Sequence, residues 1–190
     1  LLPILTKAVK TWDEVHQKMF VVAVGNLKAK WALPVASFTS EVLKTELVIS
    51  HIKALGLQAL PKAWDLSAFG TVDAIALGEA FSTLSANSFF MKYVKDYAKL
   101  APNQQAILMI YGSYRHWDVI RPQVWKAVQS NDLTRAAGFQ SLIHWSNAQD
   151  FVLIADKLSN ASLENEVAAL QTCVTVILKS NPELGVQINK

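Results

Sequence analysis

One short window of the sequence concentrates residue types that recognise other molecules. Its six candidate binding residues are Tyr114, Arg115, His116, Trp117, Asp118 and Arg121. The three arginines of the chain lie at positions 115, 121 and 135, and all other basic residues are lysines. Arginine makes planar, bidentate contacts and stacks on aromatic rings, and Trp, Tyr and Arg are enriched at binding hot spots. The window therefore predicts a contact surface.

The same window also has a purely structural interpretation. Arg115 and Asp118, and again Asp118 and Arg121, are three residues apart, so local ion pairs could hold a helix junction while the Trp rings join the core. The two interpretations differ in what truncation does. If Trp117 and Arg121 are contact residues, changing either to Ala leaves the melting temperature nearly unchanged. Truncating a buried Trp instead lowers the free energy of unfolding by about 3–5 kcal/mol.

Patterns typical of catalysis or metal binding do not occur in the sequence. The histidines at positions 16, 51, 116 and 144 form no i,i+4 pair, and there is no Gly-rich phosphate loop or nucleophile elbow. Asp13 precedes His16 by one turn, which favours a local hydrogen bond. Cys173 is the lone cysteine, and its apolar neighbours favour a buried thiol. We predict no catalytic residue, no metal and no cofactor.

The distribution of charge argues against nucleic acid as a partner. The net charge is +3, from 18 basic and 15 acidic residues, and no dense Lys/Arg run occurs. The clearest local excess is in residues 1–31, where five lysines stand against two acids beside an apolar stripe. This combination makes contact with a membrane surface through residues 1–31 a further hypothesis. The longest apolar runs have six residues, so no transmembrane segment is predicted.

Helices are the elements that must position these residues. Apolar residues recur at three- and four-residue spacing almost throughout, and no segment alternates as a strand would. The first such stripe comprises Leu5, Val9, Trp12, Val15 or His16, and Met19. We predict an all-α fold, a multi-helix bundle of about eight or nine mostly antiparallel helices, with a short α-solenoid as the alternative.

The chain of 190 residues is predicted to form a single helical domain, residues 1–190. Residues 57–70 contain Leu60-Pro61 and Gly70, so we expect an irregular segment there and a candidate hinge. A helix that ends at about Arg115 and a chain that restarts at Pro122 would place the candidate binding residues between two helices. Side chains at such a junction can reach outward from the end of a bundle.

The closing helices resemble the structural lobe of phage-type muramidases over a short stretch. The residues that carry this resemblance are Val124, Trp125, Leu133, Ala136, Ala137 and Trp145. No catalytic motif accompanies them, so the resemblance implies no function.

The sequence favours a non-enzymatic helical interaction module that binds another macromolecule, with a protein as the expected partner. Charged residues are only 17% of the chain, and its 18 aromatic residues are more than one small core readily buries, which favours an exposed apolar patch. Because the chain does not begin with Met, we expect it to be part of a longer protein. The alternative is a glycan-binding or glycan-hydrolysing domain with an aromatic-lined interhelical cleft, in which Asp118 or His116 would transfer a proton. Two acidic groups that converge in one pocket would favour that alternative.

Overall fold

The computed structural model describes residues 8–27, 40–68, 72–130 and 134–187. These residues form α-helices and short 3-10 turns, and no β-strand occurs among them. The all-α prediction is confirmed, and the contacts between helices are those of a helical bundle. None of the described helices is both long enough and apolar enough to cross a bilayer.

The α-helices follow one another along the chain, in places with a 3-10 turn between them. The first are α1 (Glu14–Asn26), α2 (Glu41–Leu55), α3 (Leu60–Ser67), α4 (Ala74–Ser82), α5 (Asn87–Val94) and α6 (Pro102–Tyr114). They are followed by α7 (Arg121–Gln129), α8 (Arg135–Trp145), α9 (Phe151–Asn160), α10 (Glu164–Ser180) and α11 (Leu184–Gln187). The 3-10 turns are Gly56–Gln58, Tyr97–Lys99, Asp118–Ile120 and Ala148–Asp150.

Contacts between residues divide the chain into two compact units, residues 1–108 and 109–190. The division falls inside α6, between Leu108 and Met109. The expectation of a single domain stays a prediction, and each unit is described by itself below.

In the first unit, α1 packs against α2 through a close approach of the two backbones. A Cβ added to Gly25 would lie 2.5 Å from Cβ of Ser50 and 3.0 Å from the backbone oxygen of Leu47. The buried ring of His51 donates a hydrogen bond from Nδ1 to the Gly25 oxygen, at 3.0 Å. The apolar core beside this crossing comprises Val21, Val24, Leu43 and Leu47. Glycine is needed at position 25 because no larger residue fits between the helices.

The predicted N-terminal stripe does not all face this core. α1 begins at Glu14, and Asp13 caps it by accepting a hydrogen bond from the backbone N–H of His16. Val9 is buried, whereas Trp12, Val15 and Met19 are exposed; Leu5 lies outside the described residues. The exposed part of the stripe therefore forms an outer face on α1.

The segment predicted to be irregular contains α3. Pro61 lies in its first turn, where a missing N–H leaves no hydrogen bond unmade, so Leu60-Pro61 begins a helix rather than breaking one. Burial of Trp64 then holds α3 in place: its ring lies 5.4 Å from that of Phe90, and its backbone oxygen accepts a hydrogen bond from Gln104. The expectation of irregular structure is wrong for residues 60–67, and the hinge stays a prediction.

In the second unit, α8 contacts α7 and α10, and α10 also contacts α9. The approach of α8 to α7 depends on Gly138, because a Cβ there would lie 3.0 Å from Cβ of Ala127. Cys173 of α10 is buried, as predicted, and burial raises the pKa of its thiol to about 11. At neutral pH this thiol stays protonated and behaves as a small apolar side chain.

Candidate functional site

The predicted binding window forms the junction between α6 and α7, and its backbone is fixed by a Schellman motif. The N–H of Trp117 donates to the oxygen of Gly112 at 3.0 Å, and the N–H of His116 donates to that of Ser113 at 3.1 Å. These two hydrogen bonds define this type of helix C-cap. The helix therefore ends at Tyr114, close to the predicted position.

His116 occupies the left-handed position that the Schellman motif requires. Its φ is 52°, a conformation that costs an L-residue about 1–2 kcal/mol and that glycine adopts freely. The side chain of His116 is exposed. The sequence contains no signal for this conformation, because glycine is the residue that usually marks such a cap.

Trp117 supplies the apolar contact that closes the cap. Its ring contacts that of Tyr111, which lies one turn before the end of α6, edge to face with the ring centroids 5.2 Å apart. Gly112 makes room for this closure, because a Cβ there would lie 3.5 Å from the Trp117 ring and 2.8 Å from the side chain of Ile120. Trp117 is half-buried as a result, with one part of the indole against α6 and another open to solvent.

Arg115 also reaches Tyr111. Its guanidinium carbon lies 5.6 Å from the centroid of the Tyr111 ring, within the range of a cation–π interaction. Tyr111 is buried, so Arg115 and Trp117 share one aromatic support. These two predicted site residues form the base of the junction and are each half-buried.

The outward side of the junction consists of four exposed side chains, which we call the junction surface. They are Tyr114, His116, Asp118 and Val119. Tyr114 is 37% exposed. Its ring stacks on the imidazole of His144, with a centroid distance of 3.9 Å and an interplanar angle of 28°. Because the stack fixes the phenol ring, Tyr114 presents a rigid aromatic edge to solvent.

His144, which supports Tyr114, is a site residue that the sequence did not predict. It lies on α8, 30 positions away, so only the folded structure brings it to the junction. Its Nε2 is buried with no hydrogen-bond partner among the described residues. Burial, together with the electrostatic effect of the nearby His116 imidazole, lowers the pKa of the His144 imidazole. The neutral ring is therefore the form that stacks on Tyr114 at neutral pH.

Arg121, the last of the six predicted residues, forms an ion pair with a buried carboxylate of the second unit. Its guanidinium donates to the carboxylate of Asp150, which is only 4% exposed, and the other oxygen of Asp150 accepts from the N–H of Asn147 at 3.0 Å. The predicted local partner, Asp118, is instead exposed. Apolar side chains surround this ion pair; they are Val124, Trp125, Leu142 and Trp145.

The expectation for Arg121→Ala changes with this contact. Removing the guanidinium would leave a buried carboxylate without its counter-charge, which destabilises a protein by about 3–5 kcal/mol. The melting temperature should therefore fall rather than stay nearly unchanged. Arg121 positions the junction through Asp150, and its own guanidinium is engaged there.

The third arginine forms a second internal ion pair. Arg135 binds the buried carboxylate of Glu166 through two nitrogens, with Nη2 2.9 Å from Oε2, and donates from Nη1 to the backbone oxygens of Val128 and Ser130. The hydrogen bonds from Arg135 lower the pKa of Glu166. This pair links the start of α8 to α10 and the end of α7.

Among the described residues, no group of three His, Cys, Asp or Glu side chains could hold a metal ion. Near Trp125 and Trp145 the acidic group is Asp150, paired with Arg121, and the space between these side chains is too small for a water molecule. The glycan-cleft alternative stays a prediction, and this part of the structure offers no observation that favours it.

Together, the fold and the junction define a helical protein with a small exposed aromatic and imidazole surface. The chain matches no family model, and no curated protein and no solved structure is detectably similar to it. Any function assigned to the protein therefore rests on its own residues.

Proposed function

We propose that the protein is a non-enzymatic helical module that binds another protein through the junction surface. Tyr114, His116, Asp118 and Val119 make the contact in this proposal. Arg115 and Trp117 form the base beneath them, and Arg121 holds the start of α7 through Asp150.

The backbone of His116 is the observation that carries the proposal. A left-handed conformation at a non-glycine residue is uncommon, and the strain it stores is a recognised feature of functional sites. The cap itself needs only the backbone of this residue, and glycine would serve it better. The exposed imidazole makes no contribution to the Schellman hydrogen bonds, so a role in contacting a partner accounts for a histidine at this position.

The surrounding side chains fit a protein partner. Tyr114 is held rigidly by His144, so little conformational entropy is lost when it is buried in an interface. Val119 adds exposed apolar surface, and Asp118 offers a carboxylate that can pair with a basic group. Tyrosine is one of the residue types that are enriched at protein-binding hot spots.

The test uses a partner captured from native extract by crosslinking to the wild-type chain and then purified. We expect His116→Gly to weaken binding of this partner by about tenfold or more, since the imidazole contact is lost while the helix cap is kept. A matched control changes two exposed apolar residues on α9, Val152→Ser with Leu153→Ser, and should bind as the wild type does. Equal binding by His116→Gly and the wild type would contradict the proposal.

A further inference from the structure

The stack of Tyr114 on His144 joins an exposed ring of the junction surface to a residue that can titrate. The two ring centroids are 3.9 Å apart, and the rings are inclined by only 28°. Tyr114 is the last residue of α6, and His144 is the second-last residue of α8. The position of the phenol ring therefore depends on an imidazole from a distant part of the chain, and a change in that imidazole acts directly on the junction surface.

The surroundings of His144 favour its neutral form. The atom Nε2 is buried and has no hydrogen-bond partner among the described residues. Because a protonated imidazole carries a hydrogen on both nitrogens, protonation would place a charged donor without an acceptor in this position. A buried charge without a partner costs far more than an unpaired acceptor nitrogen. Burial and the nearby His116 imidazole accordingly lower the pKa of His144.

The ionisable groups around α8 offer no compensating contact for a charge on His144. On α7 and α10, the helices that contact α8, they are Arg121, Lys126, Glu164, Glu166, Cys173 and Lys179. The junction adds Arg115, His116 and Asp118. Glu166 and Arg121 are engaged in the ion pairs described above, the Cys173 thiol stays protonated, and the other three helix residues are exposed. Among the described residues, His116 is the group whose electrostatic effect reaches the His144 imidazole.

We propose that this stack is a pH-sensitive switch in the junction surface: neutral His144 holds Tyr114 in the binding position, and protonation of His144 releases it. The protonated ring would turn its Nε2 toward water, which breaks the stack and frees the phenol ring to take other rotamers. Ordering that ring again costs part of the binding energy, so affinity for the protein partner falls as the solution is acidified. The loss of affinity rests on the proposed function, whereas the release of Tyr114 does not.

The first measurement uses the free protein and follows both rings by NMR from about pH 7.5 to about pH 5. Fluorotyrosine replaces tyrosine, Tyr114→Phe assigns the fluorine resonance of Tyr114, and His144→Phe assigns the imidazole resonance. We expect the two resonances to change with one shared midpoint, which lies below the ordinary histidine pKa of about 6.5. In His116→Gly, which lacks the neighbouring imidazole, both midpoints should rise together.

The second measurement is the affinity for the purified partner over the same pH range. One pH unit below the midpoint, about one tenth of the molecules keep a neutral ring, so binding should be about tenfold weaker than at neutral pH. His144→Phe is the matched control, because it keeps His116 and an aromatic ring against Tyr114 but has no imidazole at this position to titrate. Its affinity should lack the transition at the His144 midpoint.

The proposal is overturned if the Tyr114 resonance keeps its position while His144 titrates, because the protonated imidazole would then stay on the phenol ring as a cation–π pair. It is also overturned if the transition coincides with loss of helix in circular dichroism, or if the affinities of the wild type and His144→Phe change in parallel with pH. Absence of any binding at neutral pH would contradict the proposed function instead, and the NMR measurement on the free protein would then decide the switch alone.

Discussion

Different kinds of interaction stabilise the interior of each of the two units. In the first unit, α1 and α2 meet through the backbone contact at Gly25. Its described ion pairs, such as Lys18 with Glu46 and Lys99 with Asp96, are exposed. In the second unit, two buried carboxylates, Asp150 and Glu166, are bound by arginines from other elements.

This difference changes how the arginines of the chain should be interpreted. Arg121 and Arg135 form ion pairs with buried carboxylates, and Arg115 lies against the ring of Tyr111. The side chains exposed at the junction are those of Tyr114, His116, Asp118 and Val119. A cluster of arginines and aromatic residues can thus build the support of a surface rather than the surface itself.

The largest effect we expect comes from breaking the internal pair of Arg121. Arg121→Ala should lower the free energy of unfolding by about 3–5 kcal/mol, because it removes the counter-charge of the buried Asp150 carboxylate. Lys18→Ala removes one partner of an exposed ion pair and should change it by less than about 1 kcal/mol. Urea denaturation followed by circular dichroism measures both. Similar effects for the two variants would remove the distinction between the units.

A smaller effect is expected at the close crossing in the first unit. Gly25→Ala forces a methyl group against Cβ of Ser50 and should lower the free energy of unfolding by about 1–3 kcal/mol. Gly185→Ala in α11 is the control: the nearest atom would lie 3.7 Å away, an ordinary contact, so that change should be neutral or slightly stabilising. If Gly25→Ala proves equally harmless, the helices do not need this approach.

A weaker effect should appear as pH dependence of stability in the second unit. The pKa of His144 is lowered in the folded state, so the unfolded chain binds a proton more readily. The contribution of neutral His144 to the free energy of unfolding is therefore present above the unfolded pKa of about 6.5 and is lost as the pH falls below that value. Melting temperatures measured from about pH 7.5 to 5.5 should therefore fall more steeply for the wild type than for His144→Phe, which keeps an aromatic ring against Tyr114. Parallel curves would contradict this role of His144.

The sequence predicted the class of fold because apolar spacing and cap residues are local properties. It also placed the end of α6 near Arg115, and the structure ends that helix at Tyr114. The prediction is wrong at Pro61: the sequence pattern predicts irregular structure there, whereas this proline lies in the first turn of α3. Pairing between distant elements, as in Arg121 with Asp150 or Tyr114 with His144, leaves no local pattern, so neither contact could be predicted.

The exposed face of α1 shows a second limit of prediction from sequence. Trp12, Val15 and Met19 have the spacing of a helical stripe, but spacing alone does not distinguish a face that packs on the core from one that is exposed. The choice was made by Gly25, Val21 and Val24, which fit α2 more closely.

The most direct test of the junction surface measures stability and binding together on His116→Gly. Glycine relieves the left-handed strain at φ 52° but adds freedom to the unfolded chain, so we expect the free energy of unfolding to rise by about 0.5–1 kcal/mol. Affinity for the captured partner, measured by calorimetry, should fall by about tenfold or more. A variant that is more stable and binds less well is the result we predict. A variant that is more stable and binds with unchanged affinity would show that His116 makes no contact and would contradict the proposed function.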